Sequence, residues 1–202
     1  MRTLKYAILG LMMQAPVTGY DIAKAFGPGL GSFWSAKHSQ IYPELKRLTE
    51  EGLIQFSVVT QGERMEKKLY EVTDAGQEDF MQWLLQDPPL EPTPKDVFRL
   101  RSYYSQWLTE EDYLRLIQKQ IEKRTQKHSY LKERLDRYYK NADLTALTGA
   151  ARGDYLVLSG AVMREQNYLD WLCQCRELVS CWAEKNPSHR DRSSCISMEK
   201  GR

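Results

Sequence analysis

The side chains best suited to binding another molecule are concentrated in one polar segment and in a cationic segment that follows it. The first segment carries hydroxyl, amide, phenol and cationic groups: Lys37, Ser39, Gln40, Tyr42, Lys46 and Arg47. The second carries three further cations: Arg64, Lys67 and Lys68. Groups of these types hydrogen-bond to phosphate oxygens and to base edges in the major groove of DNA. We therefore predict phosphate contacts from the cations and base or near-base contacts from Ser39, Gln40 and Tyr42.

The polar segment has the spacing of an amphipathic helix. Three apolar residues recur at helical intervals and predict a face packed on a core: Ile41, Leu45 and Leu48. Pro43 has no backbone N–H and is tolerated best in the first turns, so we expect the helix to begin near His38 or Ser39. Gly52 is expected to end it, because glycine readily adopts the left-handed conformation common at helix ends.

Two helices are predicted before this one. The first, about Thr3 to Met13, is apolar on nearly every side, which suits burial. The second begins at Thr18 with Asp21 three residues later, a typical capped start, and Gly27-Pro28-Gly29 is expected to stop it. A short capped helix, a turn and a polar helix is the order of a helix-turn-helix, whose second helix lies in the major groove.

Two strands are predicted after the polar helix, in LIQFSVVT and KKLYEVT. Alternation places these residues on one face: Ile54, Phe56, Val58, Tyr70 and Val72. The turn is predicted at Gln61-Gly62-Glu63-Arg64. Its cations suit a phosphate contact, although a solvated, exposed turn is an equally common reason for such charge. The complete order predicts a mainly α fold, with an N-terminal winged helix-turn-helix of three helices and a two-stranded wing.

Several runs closely resemble the PadR family of bacterial transcriptional regulators: LKYAILGLMMQAPVTGYDIAKAF, FWSAKHSQIYPELKRLTEEGLI and KLYEVTDAGQEDFMQWL. The runs DVFRLRSYYSQWL and YLVLSGAVMREQNYLDWL resemble its longer subfamily, which has a virulence-activator-like C-terminal part. The resemblance implies a winged helix, a homodimer made by the C-terminal helices, and repression relieved by a small, often aromatic or drug-like effector. It places Ser39, Gln40, Tyr42 and Lys46 on the DNA-reading helix, Tyr20 beside it, and Arg64, Lys67 and Lys68 on the wing.

Composition is that of an ordinary globular protein. The chain has 202 residues, of which 42 % are apolar, and its formal net charge of +2 requires a local concentration of cations for DNA binding. No basic N-terminal segment leads into an apolar one, and no apolar run approaches the roughly 18 residues of a membrane span. We expect a cytoplasmic protein without a membrane partner. Reduced thiols are expected for the four cysteines, Cys173, Cys175, Cys181 and Cys195.

A proline-rich joint divides the chain. Four prolines in DPPLEPTPK are too stiff for a helix interior and predict an extended linker. We expect a winged helix-turn-helix DNA-binding domain at 1–86, the linker at 87–97, a helical dimerisation and effector domain at 98–185, and a disordered tail at 186–202.

The second domain is predicted to contain two long amphipathic helices, one starting at Thr109 and one from about Arg152 to Lys185. Because a small domain covers little of its own surface, we expect their apolar seams to pack against a second copy. The predicted dimer contacts are Leu114, Ile117, Ile121, Leu131, Leu135, Tyr155, Leu158, Val162, Leu169 and Leu172. Arg124 and His128 interrupt the first seam; solvation is the preferred interpretation, and a register-setting role is the alternative.

Other functions are less well supported. An effector pocket is a speculative interpretation of Tyr103, Tyr104, Trp107 and Trp171, because such residues more often pack in cores or dimers. The cysteines suggest a thiol-responsive regulator as an alternative, but Cys-x-Cys on a helix points its sulfurs apart, so we predict no metal and no cofactor. A protein-interaction scaffold is a further alternative. An enzyme is not expected, because the chain lacks a phosphate loop, a zinc-binding pair and a nucleophile elbow.

Overall fold

The structure, a computed structural model, describes residues 2–27, 34, 36–61, 65–90 and 93–185. The chain divides into two compact units, Met1–Glu91 and Pro92–Arg202. Within the described ranges, no helix combines the length and the apolar character needed to cross a bilayer. The predicted tail at 186–202 lies outside the described residues, as do Arg64 and most of the predicted turn.

The first unit is a winged helix-turn-helix. Its elements are α1 (Thr3–Met12), β1 (Val17–Thr18), α2 (Gly19–Ala25), α3 (His38–Glu50), β2 (Ile54–Gln61), β3 (Met65–Val72) and α4 (Asp74–Leu85). The three strands form an antiparallel sheet in the order β1-β3-β2. Strand β1 and helix α4 add to the three helices and two strands that were predicted. A two-residue strand contains no alternation, so its pattern could not reveal it.

One apolar core joins α1, α2, α3 and the sheet. The core face of α3 is confirmed, since Ile41, Leu45 and Leu48 are at most 1 % exposed. They pack with Ile8 of α1 and Ile22 of α2 in a single cluster. Burying an aliphatic side chain of this size contributes about 1.5–3 kcal/mol, so this packing fixes which face of α3 points outward.

The outer part of the hairpin extends beyond the core. Ile54 lies opposite Val72 and Phe56 opposite Tyr70, as the alternation predicted. Ile54 is buried, but Phe56 is 40 % and Val58 54 % exposed. The predicted shared face is therefore confirmed, but only its inner part is buried, because the strands continue past Tyr70 toward their turn.

Local hydrogen bonds and one close approach fix how the elements start and meet. The Thr18 hydroxyl accepts a hydrogen bond from the Asp21 N–H, and the Asp21 carboxylate accepts one from the Thr18 N–H, both at 3.2 Å. This reciprocal cap starts α2 at Gly19. In α4, a Cβ at Gly76 would lie 2.0 Å from the Leu53 carbonyl oxygen, so only glycine fits where α4 meets the chain entering β2.

The second unit contains α5 (Val97–Tyr103), α6 (Glu110–Tyr139) and α7 (Gly149–Lys185). Helix α6 starts as predicted, because the Thr109 hydroxyl accepts a hydrogen bond from the Asp112 N–H at 3.1 Å. Ile117 shares a cluster with Leu172, whereas the later Leu131 shares one with the earlier Leu158. The two long helices are therefore antiparallel neighbours within one chain.

Four of the residues predicted to contact a second copy pack between α6 and α7 within the single chain. Ile117 and Leu172 are fully buried, and Leu131 and Leu158 are 2 % exposed in the single chain. The remaining members of the set are buried or half-buried: Leu114, Ile121, Leu135, Tyr155, Val162 and Leu169. The assignment of this seam to the dimer is wrong for the fully buried residues, because helices of 30 and 37 residues cover each other along their length.

Arg124 is not simply solvated, contrary to the preferred interpretation. Its Nη1 lies 2.8 Å from the Glu165 carboxylate, and Lys127 Nζ lies 2.8 Å from the other oxygen of the same group. Glu165 is only 1 % exposed. The Arg124 guanidinium also covers the Tyr168 ring at 3.8 Å from its centroid. A buried carboxylate is thus held by two cations whose other sides reach solvent, while His128 is half-buried.

Candidate nucleic-acid interface

Helix α3 presents a polar face to solvent. The residues predicted to contact DNA from this segment are all exposed: Lys37, Ser39, Gln40, Tyr42, Lys46 and Arg47. The helix begins at His38, as expected from Pro43. Pro43 removes the hydrogen bond that position 43 would donate to the Ser39 carbonyl, so that carbonyl remains an acceptor near the start of the exposed face.

Gln40 has a structural task as well as an exposed position. Its side-chain oxygen accepts a hydrogen bond from the Lys37 backbone N–H at 3.0 Å. That N–H precedes the first turn and has no intrahelical partner, so the bond helps to start α3. The amide NH₂ group is then the part of Gln40 that can reach a base, and it is a donor only.

Tyr42 connects the two helices of the helix-turn-helix. A Cβ built at Gly19 would lie 2.9 Å from Tyr42 Cε1, so the ring rests directly on the first residue of α2. Burial, with a smaller contribution from Tyr42, raises the pKa of Tyr70 on β3. Tyr20, next to Gly19, is mostly exposed. Tyr42 of the reading helix therefore contacts the residue next to Tyr20, which was expected beside that helix.

The two described wing cations do not form a single cluster. Lys67 and Lys68 are adjacent on β3, and successive strand residues point to opposite faces of a sheet. The Lys68 ammonium lies over the Phe56 ring, 4.1 Å from its centroid. Lys67 is on the other face. Hydrogen bonds from Thr18 lower the pKa of Asp21, and the charge of Lys67 adds a smaller contribution in the same direction. The prediction of one cationic tip is corrected to two separately directed lysines.

Three acids of the first unit are paired with basic side chains: Glu44 of α3, Glu51 just after it, and Asp79 of α4. Arg2 forms an ion pair with Glu44 at 2.6 Å and another with Glu51. The hydrogen bond from Arg2 holds the pKa of Glu51 below its ordinary value. Lys5 pairs with Asp79 at 2.7 Å. Pairing therefore offsets the negative charge of these acids. On the exposed face of α3, Glu50 lies 3.8 Å from Lys46, while Lys37 and Arg47 add further positive charge.

Of the four aromatic residues suggested as an effector pocket, Trp107 alone lines the described groove next to Trp182. Tyr103 and Tyr104 are exposed and contact each other edge to face at 5.1 Å. Trp107 is exposed and lines a shallow groove with Trp182. Trp171 packs on Tyr168, with ring centroids 5.1 Å apart. The effector pocket stays a prediction, since these contacts do not bring the four residues together around one ligand site.

The described cysteines form neither a disulfide nor a metal-binding cluster. Cys173, Cys175 and Cys181 are free thiols, and no group of three metal-ligating side chains occurs among the residues that the structure describes. Burial raises the pKa of the Cys175 thiol, the opposite of what a reactive thiolate needs. Cys195 and His189 lie outside the described residues.

The sequence analysis missed three contacts at this site: the Tyr42 ring on Gly19, the Lys68 ammonium over Phe56, and the cap that Gln40 forms. Gln40 stands three residues after Lys37, the spacing of a capping box, so that bond had a local signal. The other two contacts join residues far apart in the chain, and no local pattern indicates them.

Family models match both units. Residues 8–82 match the Transcriptional regulator PadR-like family, and residues 94–180 match the Virulence activator alpha C-term model. The negative transcriptional regulator PadR of Bacillus subtilis is 44 % identical over 172 residues, covering 85 % of this chain and 94 % of PadR.

Solved structures agree with this relationship. Bacillus subtilis PadR in complex with operator DNA is 42 % identical, with a TM-score of 0.82 over 88 % of this chain and 99 % of that chain. The same regulator in complex with p-coumaric acid gives 40 % identity and a TM-score of 0.78, over 89 % of this chain and 99 % of that one. Sequence, fold and domain content agree, and the chain belongs to the PadR-like family of transcriptional regulators.

Proposed function

We propose that this regulator is a homodimeric repressor that binds a pseudo-palindromic operator through α3 and the wing. The observation that carries the proposal is the exposed polar face of α3, anchored by a fully buried opposite face. The PadR of Bacillus subtilis, crystallised with operator DNA, supports it by sequence and fold.

Each group at this face has a distinct proposed role. Ser39, Gln40 and Tyr42 contact bases or groups near them, whereas the cations contact phosphates and orient the protein. The proposed phosphate contacts are Lys37, Lys46, Arg47, Arg64, Lys67 and Lys68, and Tyr20 contacts DNA beside the helix. One helix reads only a few base pairs, so two copies must present their helices about 34 Å apart, one turn of duplex.

The second copy is proposed to pack on the outer face of α7. Leu156, Gly160 and Met163 recur at four- and three-residue steps on the side opposite the buried seam. Leu156 is 61 % and Met163 65 % exposed, and a Cβ at Gly160 would meet nothing within 4 Å. Apolar side chains around an open glycine suit the close approach of another helix.

A small effector is proposed to relieve repression, and its chemical class follows from the relative crystallised with p-coumaric acid. Phenolic acids combine an aromatic ring with a carboxylate. Such a compound acts only if it binds one arrangement of the two DNA-reading helices better than another. The pocket suggested for Tyr103, Tyr104, Trp107 and Trp171 stays a prediction.

Selection from random duplexes followed by gel-shift titration at several salt concentrations tests the proposal. We expect an inverted repeat to be selected. Lys67→Gln is expected to weaken binding to all sequences and to reduce the salt slope by about one unit per half-site. A protein-interaction scaffold, the alternative, predicts no selected palindrome. An unchanged slope after removal of both wing lysines would contradict this mode of docking.

A further inference from the structure

A groove of about 360 Å³ separates α3 from the base of the wing. Its walls combine rings and charges that come from both elements: Tyr42, Lys46 and Glu50 from α3, and Phe56, Lys68 and Tyr70 from the sheet. Two ammonium groups therefore border one groove from opposite sides, and a single carboxylate offsets them. Two positive charges against one negative charge favour the binding of an anion in the groove.

Lys68 is held at this groove by an aromatic ring. Its ammonium lies 4.1 Å from the centroid of Phe56, and the ring is 40 % exposed although it is large and apolar. Tyr70, directly opposite Phe56 in the sheet, packs on it with centroids 5.6 Å apart. Tyr70 therefore restrains one side of the Phe56 ring, and the Lys68 ammonium lies over the ring. Cation–π attraction of this kind limits where a flexible lysine points.

Lys46 faces the same groove with a weaker restraint. Its Nζ lies 3.8 Å from the Glu50 carboxylate, and both side chains are more than 60 % exposed. An exposed pair at this distance contributes little to stability, so the ammonium is available to another anion. Lys67, by contrast, projects from the opposite face of β3 and does not border the groove.

We propose that Lys46 and Lys68 share one backbone phosphate of DNA in this groove, and that Phe56 is the positioning residue that holds Lys68 there. The proposal rests on the function proposed above and adds a defined phosphate site between the reading helix and the wing. Phe56 carries no charge and contributes through Lys68 alone. Glu50 opposes the phosphate and weakens the site.

A double-mutant cycle on the full-length protein tests this inference. The probe is a duplex of about 30 base pairs with scrambled sequence, long enough for two half-sites one turn apart, because a phosphate contact does not depend on base identity. Phe56→Leu is expected to weaken binding by about two- to fivefold per protomer. The same substitution is expected to have no effect in a Lys68→Gln background and its full effect in a Lys67→Gln background, since Lys67 lies on the other face.

Two further variants separate positioning from folding. Phe56→Tyr keeps the ring and should retain the wild-type affinity. Both Phe56 variants should keep the wild-type thermal midpoint, because Phe56 lies outside the buried core. Glu50→Gln should strengthen binding by about two- to fivefold, the effect of removing a nearby like charge. Glu50→Gln should also strengthen DNA binding in a Lys46→Gln background, because Lys68 still contacts the phosphate.

The outcomes distinguish the positioning role of Phe56, the shared phosphate site and the proposed DNA binding. Equal losses from Phe56→Leu with and without Lys68 would overturn the positioning role and leave DNA binding intact. A Lys68→Gln protein with the wild-type salt slope would overturn the shared phosphate site. Absence of any DNA binding by the wild-type protein would overturn both this inference and the proposed function.

Discussion

The ring of Tyr42 lies against the backbone of Gly19, so close that a methyl group at position 19 would sit 2.9 Å from Cε1. Gly19 is the first residue of α2, and Tyr42 belongs to the exposed face of α3. The contact therefore sets the approach of the two helices at the surface proposed to bind DNA. Any larger residue at position 19 must displace a side chain that is proposed to contact bases.

Gly19→Ala is expected to lower the preference for operator over scrambled DNA by a factor that corresponds to about 1–3 kcal/mol. Tyr42 is half exposed and can move, so the thermal midpoint should change little. Gel-shift titrations with both duplexes measure the effect. In a Tyr42→Ala background the same substitution should have no further effect; an equal penalty in both backgrounds would show that Gly19 acts independently of Tyr42.

Gln40→Glu separates the two tasks of Gln40. A carboxylate can still accept the hydrogen bond from the Lys37 N–H, so helix α3 and the thermal midpoint should be preserved. The variant loses the NH₂ donor and places negative charge beside DNA, and we expect a cost of about 1–3 kcal/mol at one base position. Affinity for operators changed one base pair at a time identifies that position. An unaltered preference at every position would exclude Gln40 as a base-reading residue.

Leu156→Glu together with Met163→Glu is expected to give a folded monomer. Both side chains are exposed on the single chain, so the charges cost the fold little but oppose a second helix on this face of α7. Sedimentation of the protein at micromolar concentration and gel-shift titration should show loss of the dimer and of operator affinity together. Leu144→Glu, at an exposed leucine outside α7, is the matched control and should remain dimeric.

Glu165→Gln is expected to destabilise the second unit at neutral pH by about 1.5–3 kcal/mol, the usual contribution of hydrogen bonds to a charged group. Burial raises the pKa of Glu165, but hydrogen bonds from Lys127 and Arg124 outweigh it and leave the pKa below its ordinary value. A carboxyl group with a lowered folded pKa stabilises the protein above its unfolded pKa, and this contribution is lost as the pH falls through the folded pKa.

The difference in unfolding free energy between wild type and Glu165→Gln should therefore shrink as the pH falls below about 4.3. Denaturant titrations across this range measure it. Glu177→Gln removes an exposed carboxylate from the same helix and provides the control, with no expected change at neutral pH. A difference that grows in acid would mean that Glu165 is not held ionised by its two cations.

Helix α3 illustrates how far local pattern reaches. The spacing of Ile41, Leu45 and Leu48 predicted its buried face, and Pro43 predicted a start near His38 or Ser39; both are confirmed, since the helix begins at His38. The seam of α6 and α7 illustrates its limit. Apolar periodicity showed that Ile117 and Leu172 must be covered, but periodicity is the same whether the covering helix belongs to the same chain or to another.

The amino-acid sequence alone determined most of the elements, their caps and the family, because helix spacing, strand alternation and the Thr18 and Thr109 caps depend on residues a few positions apart. Tertiary structure alone decided which distant side chains meet: Tyr42 on Gly19, Lys68 on Phe56, and Arg124 with Glu165. These contacts arise from packing between elements, where distance along the chain carries no information about distance in space.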